Sequence, residues 1–128
     1  MTLRSVLTVT LLIGSAAPLA AQAAGPAPFS LNHTSWSFVD GGTTVVETID
    51  DNGAYVINTA DGKHVDHGTV VMKGDKSCST SAMDNSGEHC WKMPRYGVEE
   101  GQSFTAISDS GRQLKVTRLS YRGSSDPK

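Results

Sequence analysis

The sequence predicts an all-β protein, a small antiparallel up-and-down β-barrel of about eight strands, with a β-sandwich as the alternative. Three observations lead to this prediction. Short runs of β-branched and aromatic residues recur at roughly ten-residue intervals, turns with glycine and Asp or Asn separate them, and no run keeps helical spacing. Because the connections are short, successive strands should pair, and closure into a barrel removes exposed sheet edges.

The N-terminal region has the pattern of an export signal. Arg4 precedes a short apolar run over residues 6–13, and residues 21–23 fit the small-x-small cleavage rule. The apolar run is too short to span a bilayer. We therefore expect a periplasmic or secreted protein with no membrane anchor after cleavage. The expected organisation is a signal peptide over 1–23, a flexible leader over 24–30, one barrel domain over 31–122 and a disordered tail over 123–128.

The strands follow from the alternation of side chains along the chain. In the run 35–39, small polar residues alternate with large aromatic ones, which places Trp36 and Phe38 on one face. Segment 63–68 is polar and ambiguous. The other predicted strands cover 43–49, 54–59, 69–73, 77–82, 89–93, 103–108 and 113–121.

Cys78 and Cys90 are the two cysteines of the chain. They flank a turn cluster over 84–87, so the two arms around it form a predicted hairpin. In an oxidising compartment two cysteines most simply pair with each other. The sequence therefore predicts a structural disulfide between Cys78 and Cys90.

Charge and motif content exclude several function classes. The formal net charge is −2, and no basic block supplies the electrostatic surface that nucleic acids require. Glycine-rich phosphate-binding patterns, the nucleophile elbow G-x-S-x-G and the zinc motif H-E-x-x-H do not occur. We expect a monomer that is not an enzyme, has no cofactor and binds neither nucleic acid nor a membrane.

The densest polar cluster is the segment His64-Val65-Asp66-His67. On a regular strand His64 and Asp66 project to one face and His67 to the other. His64, Asp66 and His67 are therefore candidate metal ligands, with a further histidine joining from elsewhere. The alternative is a surface turn with solvated imidazoles.

Loops at a barrel mouth are the most favourable place for binding residues. Tyr96, in the irregular connection 94–101, is the best candidate for an exposed contact residue. Arg95 beside it and Lys63 in the other polar connection complete a predicted contact set at one mouth. Because the aromatic residues are needed for the core, we expect a filled interior rather than a large pocket.

Two short segments carry a resemblance to a known group. An early Trp36 and the late run Gly111-Arg112-Gln113-Leu114-Lys115-Val116-Thr117-Arg118 resemble the lipocalin-like small exported barrels. The chain looks most like small secreted proteins of Gram-negative bacteria and, more distantly, their protease-inhibitor barrels, whose disulfide lies near the start. The resemblance implies that Trp36 packs against Arg118.

The sequence thus predicts an exported binding module that contacts a protein or small ligand through loops at one barrel mouth, as an inhibitor would. The alternative function is a periplasmic metal-binding protein that uses His64 and Asp66.

Overall fold

Eight β-strands form the fold in a computed structural model that describes residues 17–19 and 25–123. The segment 63–68, ambiguous in the sequence, contributes most of its residues to one long strand, β4. The strands in chain order are β1 Thr34–Asp40, β2 Thr43–Ile49, β3 Ala54–Thr59, β4 His64–Lys73, β5 Lys76–Ser81, β6 Glu88–Lys92, β7 Ser103–Ser108 and β8 Gln113–Leu119.

The strands close into an up-and-down barrel. Each strand pairs antiparallel with the next, and β8 returns to β1, where Trp36 lies opposite Arg118. Tight turns permit this order. In the β2–β3 turn, the carboxylate of Asp50 accepts hydrogen bonds from the backbone amides of Asn52 and Ala54 at 2.8 and 3.0 Å. Gly53 in this turn has a φ of 82°, which glycine adopts without strain. The predicted barrel is confirmed, and the sandwich alternative is wrong.

The seam between β6 and β7 is short. Two residue pairs join these strands, Trp91 with Ser108 and Lys92 with Ile107. Pro94, just after β6, has no amide hydrogen with which to extend the ladder. The chain therefore crosses an irregular loop over 93–102 before β7 begins, and the part of β6 before Trp91 has no partner strand on this side.

The two ends of the barrel differ in what covers them. We call the end with the β1–β2, β3–β4, β5–β6 and β7–β8 connections the mouth. We call the other end, with the β2–β3, β4–β5 and β6–β7 connections and the segment before β1, the base. At the base, the ring of Phe29 packs 5.8 Å from that of Trp36 and 5.9 Å from that of Phe104, with Leu31 and Val98 buried beside them. Apolar packing therefore closes the base.

The segment before β1 is bonded to the β6–β7 loop. The carbonyl of Ala27 accepts the amide of Gly97 at 2.9 Å, and the amide of Phe29 donates to the carbonyl of Arg95 at 3.2 Å. Part of the predicted leader 24–30 is thus held against the barrel. The predicted signal peptide lies outside the described residues apart from 17–19, as does the tail beyond residue 123. None of the described segments forms a helix of the length and hydropathy needed to cross a membrane.

A β-bulge reverses the alternation in the first part of β4. Asp66 lies opposite Ile57, but His64, not Val65, lies opposite Asn58. The extra residue turns His64 outward, to the face that also carries His67, while Asp66 points into the barrel. The expectation that His64 and Asp66 share a face was wrong because it assumed a regular strand.

The predicted disulfide is confirmed. Cys78 of β5 and Cys90 of β6 lie directly opposite each other, with their Cα atoms 4.1 Å apart, and form a disulfide. Their strand neighbours Ser77, Ser79 and Trp91 face the barrel interior, so the bridge lies on the outer face. It holds together the hairpin whose second strand has the short seam to β7.

Loss of this bridge should destabilise the barrel. We expect Cys78→Ser to lower the free energy of unfolding by about 2–3 kcal/mol, because the unfolded chain regains the freedom of the closed loop. Urea unfolding of the oxidised protein and the variant measures the difference. Reductant should lower the midpoint of the wild type and leave that of the variant unchanged. Equal midpoints for the oxidised protein and the variant would contradict the prediction.

Candidate ligand-binding cavity

A cavity of about 720 Å³ occupies the barrel interior and opens at the mouth. The expectation of a filled interior was wrong, and the inward residues of two adjacent strands give the reason. Ser77, Ser79 and Ser81 are the inward residues of β5, and Gly68 lies opposite Ser81 on β4. Small side chains on this wall leave space that the aromatic residues of the opposite wall do not fill.

One wall of the cavity is apolar. Trp36 and Phe104 contact each other edge to face, with ring centroids 5.7 Å apart, at the bottom of the cavity. Phe38 and Leu114 line it towards the mouth. The wall therefore offers a continuous surface for an apolar group.

The facing wall carries a hydrogen-bonded carboxylate. One carboxylate oxygen of Asp66 accepts a hydrogen bond from the Tyr55 hydroxyl at 2.9 Å. The other accepts a hydrogen bond from the Ser81 hydroxyl at 2.6 Å. The amide of Met83 donates to the same Ser81 hydroxyl at 3.0 Å. Burial and the neighbouring Asp66 charge raise the pKa of the Tyr55 phenol well above its usual range. The phenol is therefore a fixed hydrogen-bond donor.

Gly68 gives this wall its shape. It lies opposite Tyr55 in the β3–β4 register and opposite Ser81 in the β4–β5 register. A Cβ atom at this position would meet the carbonyl oxygen of Thr80 at 2.1 Å and the Tyr55 hydroxyl at 2.9 Å. Glycine is therefore required for Tyr55 to reach Asp66 while β4 and β5 stay paired.

Glu47 is the second carboxylate of the interior. It lies opposite Trp36 on one side and Ile57 on the other. Burial is the main cause that raises its pKa from 4.5 to about 7, and the charge of Asp66 adds to the effect. No basic group or hydrogen-bond donor of the described side chains offsets this shift. Glu47 is thus a half-buried acid of the cavity lining, without a protein partner in the described part of the chain.

Charged pairs surround the mouth. The guanidinium of Arg112 is 3.2 Å from the carboxylate of Asp40 and lies 5.8 Å from the ring centroid of Trp91. Glu88 is paired with Lys73, with a nitrogen-to-oxygen distance of 2.7 Å. These acidic residues are therefore already paired, unlike Glu47.

A cluster of one serine, one histidine and one aspartate also lies at the mouth. Its hydrogen bonds connect the three side chains in a different order from those of a hydrolytic triad. Nε2 of His89 is 2.9 Å from Oγ of Ser86, and the same hydroxyl donates to Asp84 at 2.5 Å. In a catalytic triad the carboxylate holds the imidazole, which then takes the serine proton. Here Asp84 bonds the serine instead, and all three residues are exposed.

The structure separates the predicted metal ligands. Nε2 of His64 is 3.1 Å from Nδ1 of His67, and Nδ1 of His64 is 3.2 Å from Oδ1 of Asn58, all on the outer face. Asp66 is inside. Within the described residues, the group of three or more candidate donors is Cys78, Glu88 and Cys90, and its sulfurs form the disulfide.

The predicted contact residues lie at opposite ends of the barrel. Tyr96 is 46% exposed, with the Arg95 guanidinium 5.3 Å from its ring centroid, in the β6–β7 loop at the base. Lys63 is in the β3–β4 turn at the mouth. The expectation of one mouth that includes all three residues was wrong, because these two connections are an odd number of strands apart in an up-and-down barrel.

The structure brings Trp36 and Arg118 together, as the resemblance implied. The guanidinium carbon of Arg118 lies 5.7 Å from the centroid of the Trp36 rings, and Nη1 donates to the carbonyl of Val98 at 2.7 Å. Both residues help to close the base.

Glu47, Tyr55 and Ser79 line the cavity and were not among the binding residues predicted from the sequence. A signal was present for the first of them. Glu47 interrupts a run of β-branched residues over 43–49 and shares the face of Val45 and Ile49. An acidic residue in phase with a core face is unusual enough to indicate a site.

Comparison with protein families, with curated proteins and with solved structures gives no match to this chain. The eight-stranded barrel fits a lipocalin-like fold loosely, and no family relationship supports the resemblance seen in the two short segments.

Proposed function

We propose that the protein is an exported, non-enzymatic binding module that takes a small, largely apolar molecule into its barrel. The cavity of about 720 Å³ carries this proposal. Its volume lies within the range of small-molecule sites, and such sites combine mostly apolar walls with a few polar groups that orient the ligand. Here the apolar wall ends at Trp36, and the polar groups are Glu47, Tyr55 and Asp66.

Two further features support parts of the proposal. The Cys78–Cys90 bridge is consistent with an oxidising compartment, and thus with the predicted export signal. The exposed cluster at Ser86 lacks the bond order that would activate a nucleophile, which favours binding over catalysis.

A protein partner at the mouth, such as a hydrolase to be inhibited, is a second candidate with less support. Arg112 and Glu88, which could contact it, are already paired with residues of the chain itself. A metal-binding role has less support again, since His64 and His67 supply two imidazoles and Asp66 lies on the other face.

Titration with an uncharged apolar fluorophore, N-phenyl-1-naphthylamine, tests the proposed function. We expect saturable binding with one site per chain. Ser79→Leu should abolish it because the added side chain enters the cavity, whereas Thr80→Leu, on the outer face of the same strand, should bind like the wild type. Thermal melts establish that both variants fold. Absence of binding by the wild type, or equal binding by both variants, would overturn the proposal.

A further inference from the structure

We infer that the molecule bound in the cavity is a cation, with an apolar body and one protonated or quaternary nitrogen placed near Glu47 and Asp66. This inference rests on the proposed function and names the ligand class of the same site. It starts from the charges of the cavity wall. Among the described residues of the wall, Arg112 and His89 are the basic side chains, and six are acidic: Asp40, Glu47, Asp66, Asp84, Glu88 and Asp109.

The deep pair of carboxylates differs from the acidic residues around the mouth. Asp40, Glu88 and Asp109 are paired with Arg112, Lys73 and Lys76. Glu47 and Asp66 have no such partner among the described residues. Two uncompensated carboxylates in one cavity repel an anion and attract a cation.

The positions of the two carboxylates suit one small positive group. Glu47 and Asp66 lie on strands two apart, each opposite Ile57, and both side chains point inward. Inward side chains on the concave face of a barrel converge. Tyr55 and Ser81 hold Asp66 in place, while Glu47 is free to meet a ligand. A positive charge between them would offset the repulsion between the two carboxylates without a change in the wall.

The remaining walls suit an organic cation better than a metal ion. Trp36 and Phe38 line the cavity, and aromatic side chains can stabilise an ammonium group as well as its apolar substituents. A bare divalent ion needs about six oxygen ligands, and both oxygens of Asp66 already accept protein hydrogen bonds. The cavity therefore favours a weakly hydrated cation with carbon around its charge.

A matched ligand series tests the inference. Decyltrimethylammonium, decanol and decanoate share one apolar chain, and each displaces the neutral fluorophore if it enters the cavity. We expect the ammonium to bind at least about tenfold more tightly than the alcohol, and the carboxylate to bind most weakly. Glu47→Gln should remove most of this preference, because the preference for the ammonium over the alcohol depends on the charge of the carboxylate. The control Glu99→Gln, on the exposed base loop, should leave all three affinities unchanged.

The dependence on pH supplies an independent readout, because the quaternary ligand keeps its charge at every pH. Its affinity should fall from about pH 8 to about pH 6 as Glu47 takes up a proton, and stay constant in Glu47→Gln. The other ionisable groups near this site are Asp66 and Tyr55 beside it, Arg118 at the base, and His89, Asp40 and Arg112 towards the mouth. Because these groups are present in both proteins, the difference between the two profiles isolates Glu47.

Each outcome separates the two proposals. Equal affinities for the ammonium and the alcohol overturn the cationic ligand and leave a binding cavity in place. Stabilisation by Ca²⁺ or Zn²⁺ but not by the ammonium also overturns it. If neither the three ligands nor the neutral fluorophore bind, the proposed function itself is overturned.

Discussion

Gly68→Ala is expected to lower the free energy of unfolding by about 3 kcal/mol, a large part of the roughly 5–15 kcal/mol that stabilises a domain. The new methyl group would lie 2.1 Å from the carbonyl oxygen of Thr80, a backbone atom that cannot move while β4 and β5 stay paired. It would also lie 2.9 Å from the Tyr55 hydroxyl and push it off Asp66.

Urea unfolding followed by tryptophan fluorescence measures this effect. Gly97→Ala is the matched control, because a methyl group there has no neighbour closer than 3.7 Å and the backbone is not left-handed. The control should unfold within about 1 kcal/mol of the wild type. If the two alanine variants unfold at the same urea concentration, the close contact between residue 68 and the Thr80 carbonyl does not require glycine at this position.

Glu47→Gln is expected to stabilise the protein above neutral pH. The pKa of Glu47 rises from 4.5 in the unfolded chain to about 7 in the folded protein, so the folded state binds a proton more tightly. The stabilisation from this proton is complete below pH 4.5 and disappears as the pH rises through about 7. At 1.36 kcal/mol per pKa unit the loss is up to about 3 kcal/mol, and water in the cavity reduces it. Glutamine carries no charge, so the variant avoids this loss.

Unfolding free energies of the two proteins at a series of pH values check this prediction. The difference between them should be small near pH 5 and increase to its full value by about pH 8. The control variant Glu99→Gln changes an exposed residue, so its unfolding free energy should differ from that of the wild type by the same amount at every pH. A difference between the wild type and Glu47→Gln that does not change with pH would mean that Glu47 is not held in a water-poor site. Residues that bind a ligand often lower the stability of the protein. A destabilising effect of Glu47 at neutral pH would agree with a role in binding.

The sequence was sufficient to predict the strands and their pairing, because these depend on local signals. Glycine turns set the hairpins, and alternation placed Trp36 and Phe38 on the inner face. The disulfide was predicted from the export signal, because two cysteines in an oxidising compartment most simply pair with each other. The pairing order made barrel closure the natural way to remove the two edges.

The cavity could not be predicted in the same way, since it depends on the sum of side-chain volumes on walls that are distant in sequence. Ser77, Ser79 and Ser81 are ordinary residues of a polar hairpin until the register puts all three inside. Likewise, one extra residue at the β4 bulge was enough to separate His64 from Asp66. Alternation over a short segment cannot reveal an insertion that the partner strand determines.

The short β6–β7 seam leaves the barrel with a side window as well as a mouth. Beyond the hydrogen bond from the Asp109 amide to the Cys90 carbonyl, β6 has no partner strand on this side, and the cavity lining continues along it to Ser86 and Glu88. The Cys78–Cys90 bridge ties that strand to β5. The bridge therefore keeps β6 against β5 along the border of this window, where the ladder to β7 is missing.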